Sequence, residues 1–151
     1  YFEIKIKNNK NRTVKKRRLV NEMTKQLGKQ EKNLVSEIIG LEPTQLAPIL
    51  DIQFSRITLT DNNFSERLTI DTNLSVKNGT SSKIFDQLAI SEIKQNKYNP
   101  KSDFVQILRN LKIPEMRFSK YCMGMLHVNK NIKYNRFKPK LLQINKILTQ
   151  L

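Results

Sequence analysis

Two copies of one triplet, Glu-Ile-Lys, raise the question of what chemistry this chain could perform. Glu3 and Lys5 stand near its start, Glu92 and Lys94 in its middle. In an extended chain, residues two apart share a face, so each triplet sets an acid beside a base. Basic residues recur at the same spacing: Lys15 with Arg17, Arg56 with Thr58 and Thr60, and Arg67 with Thr69 and Asp71. If these faces line the inside of a curled sheet, the cations repel one another unless an anion lies between them. A phosphate chain is the natural guest, because arginine meets it with a planar fork of donors. A glutamate among phosphates is an ordinary ligand for Mg²⁺ or Mn²⁺. On this reading the lysines and arginines of these faces grip phosphate, and a glutamate of the repeated triplet, Glu3 or Glu92, holds the metal that bridges it.

The elements that would position these residues follow from periodicity and punctuation. "FEIKIK" alternates strictly, which predicts a half-buried strand. "NNKN" then turns the chain, and "RTVKKRRLV" closes a hairpin. Residues 21–39 have helical composition, broken near Gly28 and capped by Asn21. "ILDIQFSRITLT" and "RLTIDTNLSV" predict two strands joined by the loop "DNNFSE", and "KNGTSS" reads as a turn. "DQLAISEIKQ" is a fifth strand, and "SDFVQILRNLKI" a helix capped by Ser102. "PEMRFSKYCMGMLHV" fits either strand or helix, and "KPKLLQINKILTQL" is an amphipathic helix. Together they predict an α+β domain of strands with packed helices, whose basic strand faces are either edges protected by lysine or the inner lining of a sheet curled around an anion.

The charge balance agrees with a polyanionic partner. The 151 residues carry 28 Lys and Arg against 13 Asp and Glu, a net charge of +15. A single cysteine, Cys122, excludes an internal disulfide and a multi-cysteine zinc site. No run is long and apolar enough to span a membrane. Local alternation also sorts the basic residues. Lys16 and Arg18 point away from Lys15 and Arg17, while Lys7 fits a ligand and a solvated edge equally well. His127 reads as structural or surface, and Cys122, Tyr121, Met123 and Met125 as core. The tail "NKNIKYNRFKPK" has the basic and aromatic content of a nucleic-acid segment, but is equally a polar approach to the last helix.

Taken in order, "FEIKIKNNKNRTVKKRR", "FSRITLTDNNFSERLTIDTNL", "LAISEIKQ" and "MRFSKYCMG" resemble the VTC domain. That domain is the catalytic module of polyphosphate polymerases, within the triphosphate tunnel metalloenzyme superfamily. The resemblance implies an eight-stranded antiparallel tunnel that transfers the γ-phosphate of ATP onto a polyphosphate chain with Mg²⁺ or Mn²⁺. It matches Arg56 and Arg67 to the paired arginines of the central hairpin, and Lys15 and Arg17 to a Lys-x-Arg pair. Lys5 falls on the Glu-x-Lys strand, Glu92 on the metal-binding glutamate, and Arg117 and Lys120 on the closing basic motif. Arg117 stands where the family commonly has lysine.

Arg56, Arg67 and Lys120 would be the catalytic cations, with ATP and polyphosphate rather than nucleic acid as partners. The resemblance further implies a cytoplasmic location, with association with a membrane complex and the oligomeric state left open. Tyr1 opens inside a strand, and about three of the family's tunnel strands are absent from this sequence, so residues 1–151 read as the C-terminal part of one longer tunnel domain or else as a degenerate half-tunnel without activity. Two rivals stand beside the polymerase: a tunnel-fold triphosphatase, and a non-catalytic binder of polyphosphate, inositol phosphate or nucleic acid.

Overall fold

A computed structural model of the chain describes residues 1–10, 12–22, 26–79 and 81–149. The chain divides into two compact units, 1–48 and 49–151. The first contains a hairpin of β1 (Phe2–Lys7) and β2 (Thr13–Arg18), followed by helix α1 (Lys29–Ile39). Alternation predicts this hairpin correctly, and it pairs Glu3 with Arg17 and Lys5 with Lys15 across the strands. The helix differs from expectation. It begins at Lys29 with Gly28 as its N-cap, and Asn21 lies in a bend. The part of the expected helix at 23–25 falls outside the described residues. Gly40 ends α1 with a left-handed backbone at φ 69°, which glycine adopts without steric cost.

The second unit is built on a four-stranded antiparallel sheet. Its strands are β3 (Asp51–Thr60), β4 (Glu66–Asn78), β5 (Ser81–Phe85) and β6 (Ile90–Gln95). The long β4 is the spine. β3 runs along one side of it, and on the other side β6 pairs with its first half and β5 with its second. β5 was not expected, because "KNGTSS" carries turn residues and little β-branching. Its strand character comes from pairing with β4, as in Val76 opposite Lys83. Helices α2 (Asp103–Asn110), α3 (Lys120–Val128) and α4 (Lys138–Thr149) follow. Ser102 caps α2 as expected, accepting the backbone N–H of Val105. The ambiguous segment resolves as α3, because the Ser119 side chain accepts the Cys122 N–H and starts the helix there.

The core lies where α3 and α4 cover the β4–β5 end of the sheet. Leu74, Val76, Phe85, Leu88, Met123, Val128 and Ile144 are buried there together. Met123 therefore belongs to the core as expected, whereas Tyr121 is 52% exposed and Cys122 only half-buried. His127 is structural: its Nδ1 lies 2.8 Å from the Met123 carbonyl, and its ring meets Phe85 edge-on. The α+β, antiparallel class holds. Among the described residues the strands form two separate sheets, and the outer edge of β3 pairs with no described strand.

Candidate functional site

One irregularity of β4 brings the site together. Between Gln53 and Ser55 of β3 the register slips, so two steps along β3 span three along β4, from Ser75 to Thr72. Asn73, within that stretch, has a positive φ of 53°, a conformation asparagine tolerates better than most residues. A strand without a bulge would send Asp71 and Leu74 to opposite faces. Here both serve the side covered by α3: Leu74 packs in the core with Met123, and Asp71 receives Lys120 from the first turn of α3.

Beyond the bulge the register is regular. Arg56 lies opposite Asp71, Thr58 opposite Thr69, and Thr60 opposite Arg67. On the other side of β4, Arg67 lies opposite Lys94 and Thr69 opposite Glu92. Directly opposed residues share a face, so Arg56, Arg67, Asp71, Glu92 and Lys94 form one polar face, joined by Lys120. Four cations there meet two carboxylates.

Asp71 is the organising group. It is 2% exposed, and Arg56 grips it with two hydrogen bonds, Nε to Oδ1 at 2.5 Å and Nη2 to Oδ2 at 2.7 Å. The Lys120 ammonium contacts Oδ2 as well. The Arg56 bonds hold the Asp71 carboxyl below the usual carboxylate range, against the opposing effect of burial, with help from Lys120. The same contact with Asp71 raises Arg56 above its ordinary value. Phe54 supplies an aromatic floor: the Arg56 guanidinium lies 5.1 Å and the Lys120 ammonium 4.7 Å from its ring centre.

The rest of the face is less committed. Lys94 lies 3.4 Å from Glu92, both side chains half exposed. The Arg67 side chain is exposed, has no ion pair or hydrogen bond among the described residues, and sits directly opposite Lys94. A like-charged cross-strand pair of this kind destabilises a sheet by up to about 1 kcal/mol. The first unit repeats that arrangement, with Lys5 directly opposite Lys15. There Glu3 takes Arg17 and, at 3.0 Å, Lys5. The Arg17 bond, then the Lys5 bond, pull the Glu3 carboxyl down from 4.5 to about 2.

The expected site residues are thus sorted by position. Arg56, Arg67, Glu92 and Lys120 come together on the larger sheet, and Lys5, Lys15 and Arg17 share one face of the hairpin. Lys7 lies on that face too, opposite Thr13, while Lys16 and Arg18 lie on the other. Arg117 is exposed in the irregular segment before α3 and joins neither ion-pair cluster among the described residues. Two participants were overlooked as site residues, Asp71 and Phe54. Their signal was the same alternation that marks Arg67 and Arg56.

Comparison with protein families bears directly on these positions. The family model described as VTC domain matches residues 1–129, which include both basic faces and α3. The chain belongs to the VTC domain family. No curated protein and no solved structure matches it significantly. The VTC match covers each basic position of the two faces, from Lys5 to Lys120. Its last helix, α4, lies beyond the match and contributes Ile144 to the core.

Proposed function

We propose that this VTC domain is a metal-dependent polyphosphate polymerase, transferring the γ-phosphate of ATP onto a polyphosphate chain. The observation that carries the reading is the register of β3, β4 and β6, which sets Arg56, Arg67, Glu92 and Lys94 on one face, with Lys120 joined to it through Asp71. An excess of cations in like-charged cross-strand pairs is a cost to folding that a bound polyanion removes. Membership of a family related to polyphosphate polymerases supports condensed phosphate as that polyanion.

In this reading the reaction is mainly electrostatic. Arg56, Arg67 and Lys120 bind the phosphates and orient them for in-line attack, with Lys5, Lys15, Arg17 and Arg117 as further phosphate contacts implied by the family pattern. The acceptor is an already ionised phosphate oxygen, so no general base is needed. The strands would form part of the family's antiparallel tunnel, which keeps bulk water from the phosphates. The donor set suits a divalent cation held jointly with phosphate. Glu92 is a half-exposed carboxylate, and no cluster of three or more His, Cys, Asp or Glu among the described residues could cage a metal alone. Mg²⁺ and Mn²⁺ bind in that way, through one or two carboxylates plus phosphate oxygens, and would neutralise charge on the transferring group. Glu92 would hold the ion, while Lys94 limits its reach.

The test is incubation of the full-length protein with γ-labelled ATP and Mn²⁺ or Mg²⁺, followed by sizing of the labelled product. Long-chain label that disappears in Arg67→Ala and Glu92→Ala is expected. Labelled orthophosphate alone would instead mark a triphosphatase. Tight binding with no metal-dependent product would mark a passive polyanion binder.

A further inference from the structure

The polar face contains one group whose purpose the phosphate reading leaves open. A buried carboxylate beside a phosphate site works against affinity, since its negative charge offsets one of the two cations it contacts. We propose that Asp71 is a positioning residue: its carboxylate fixes Arg56 and Lys120 so that their unused N–H groups form one preset donor array for phosphate. This inference rests on the phosphate-binding reading of Arg56 and Lys120.

The geometry supplies the argument. A guanidinium has five N–H donors; Asp71 engages Nε and one hydrogen of Nη2, which leaves three. The Lys120 ammonium, shared with Oδ2, keeps two more. Exposure is graded in the same direction. The Asp71 side chain is 2% exposed, Lys120 20% and Arg56 41%, so the anchor is buried and the uncommitted donors reach toward solvent. Phe54 lies beneath both cations, closing off one side to which either could swing. Arg67 is the internal contrast: it stands on the same face with no such anchor among the described residues. Orientation of this kind acts on the reacting geometry, whereas the negative charge lowers ground-state attraction. Asp71 therefore separates turnover from affinity.

The experiment uses the full-length protein, inorganic tripolyphosphate as the binding probe, and ATP turnover. In the wild type, the Arg56 Nε–H should exchange with water about tenfold more slowly than that of Arg67, as a charge-assisted hydrogen bond gives. Asp71→Asn should lower turnover by about a hundredfold, the scale of a misplaced binding group, with tripolyphosphate affinity unchanged or tighter. Asp71→Glu keeps the charge but shifts the carboxylate by one methylene. It should lower turnover while leaving affinity alone, and it serves if the asparagine variant does not fold. Equal exchange at Arg56 and Arg67, unchanged turnover, or affinity lost in step with turnover would each overturn the proposal. A wild type that binds no tripolyphosphate would overturn the phosphate reading itself and this inference with it, even if Arg56 exchanged slowly. Binding with equal exchange would overturn the inference alone.

Discussion

Stripping both cations from Asp71 should cost more than the sum of its parts, and the structure sets the scale. With Arg56→Met, Asp71 keeps Lys120; with Lys120→Met, it keeps the two-pronged Arg56 contact. Methionine retains most of each apolar stem. Each single change should cost about 1–2 kcal/mol, near the low end for hydrogen bonds to charged groups, because Arg56 is partly exposed and a partner remains. The double variant leaves a carboxylate that is 2% exposed with no counter-charge, and such stranding costs about 3–5 kcal/mol. Urea unfolding at pH 7 of the wild type, both singles and the double should yield a coupling of about 1–2 kcal/mol between the sites. The pH response supplies the sign. In the wild type the Asp71 pKa lies below its ordinary 3.8, so its contribution is complete above 3.8 and is lost as the pH falls through the folded value. In the double variant burial acts unopposed and raises that pKa, so acidification from neutrality should recover part of the lost stability. Additive losses, with the same acid response in all four proteins, would refute the reasoning.

Three further outcomes follow from other parts of the molecule. Glu92→Ala should abolish metal-dependent ATP turnover yet preserve metal-free tripolyphosphate binding, measured by calorimetry, since the half-exposed Glu92 is not a cation that grips phosphate. The Glu3 carboxyl carbon should titrate by NMR with a midpoint near 2, and Arg17→Ala should move it back toward 4.5; the contribution of Glu3 to stability is thus present above 4.5 and lost between there and about 2. Gly124→Ala should lower stability by about 1–3 kcal/mol in a thermal melt, because the added methyl would lie 2.8 Å from Leu50 Cδ2 and 2.9 Å from Val76 Cγ1.

Much of this arrangement is legible in the sequence, and what is not has physical causes. Alternation places β1, β3, the first half of β4, and β6, because each has one polar and one apolar or half-buried face; β2, basic on both faces, follows from the turn that precedes it. It correctly groups Arg56 with Thr58, Arg67 with Asp71, and Lys5 with Glu3. It fails at Asn73, where one extra residue reverses the faces of β4, and nothing local announces the bulge. It fails again at β5, whose residues form a strand only because β4 offers them partners. Residues 120–128 carry neither clean period. There the Ser119 cap decides for helix, and helix places Lys120 on Asp71. Ion-pair partnership is the least legible: Asp71 and Glu92 both stand two or four residues from a cation, yet only Asp71 is buried.

The central claim is that phosphate binds to the particular face bearing Arg56 and Arg67, and not to positive charge in general. Calorimetric titration of inorganic tripolyphosphate into two charge-matched variants tests it directly. One variant is Arg56→Ala with Arg67→Ala; the other is Lys16→Ala with Arg18→Ala, from the opposite face of the hairpin. The account predicts at least about a tenfold loss of affinity in the first, the equivalent of one charge-assisted contact, and near wild-type affinity in the second. Equal losses in both would show that affinity follows net charge alone, and would contradict it.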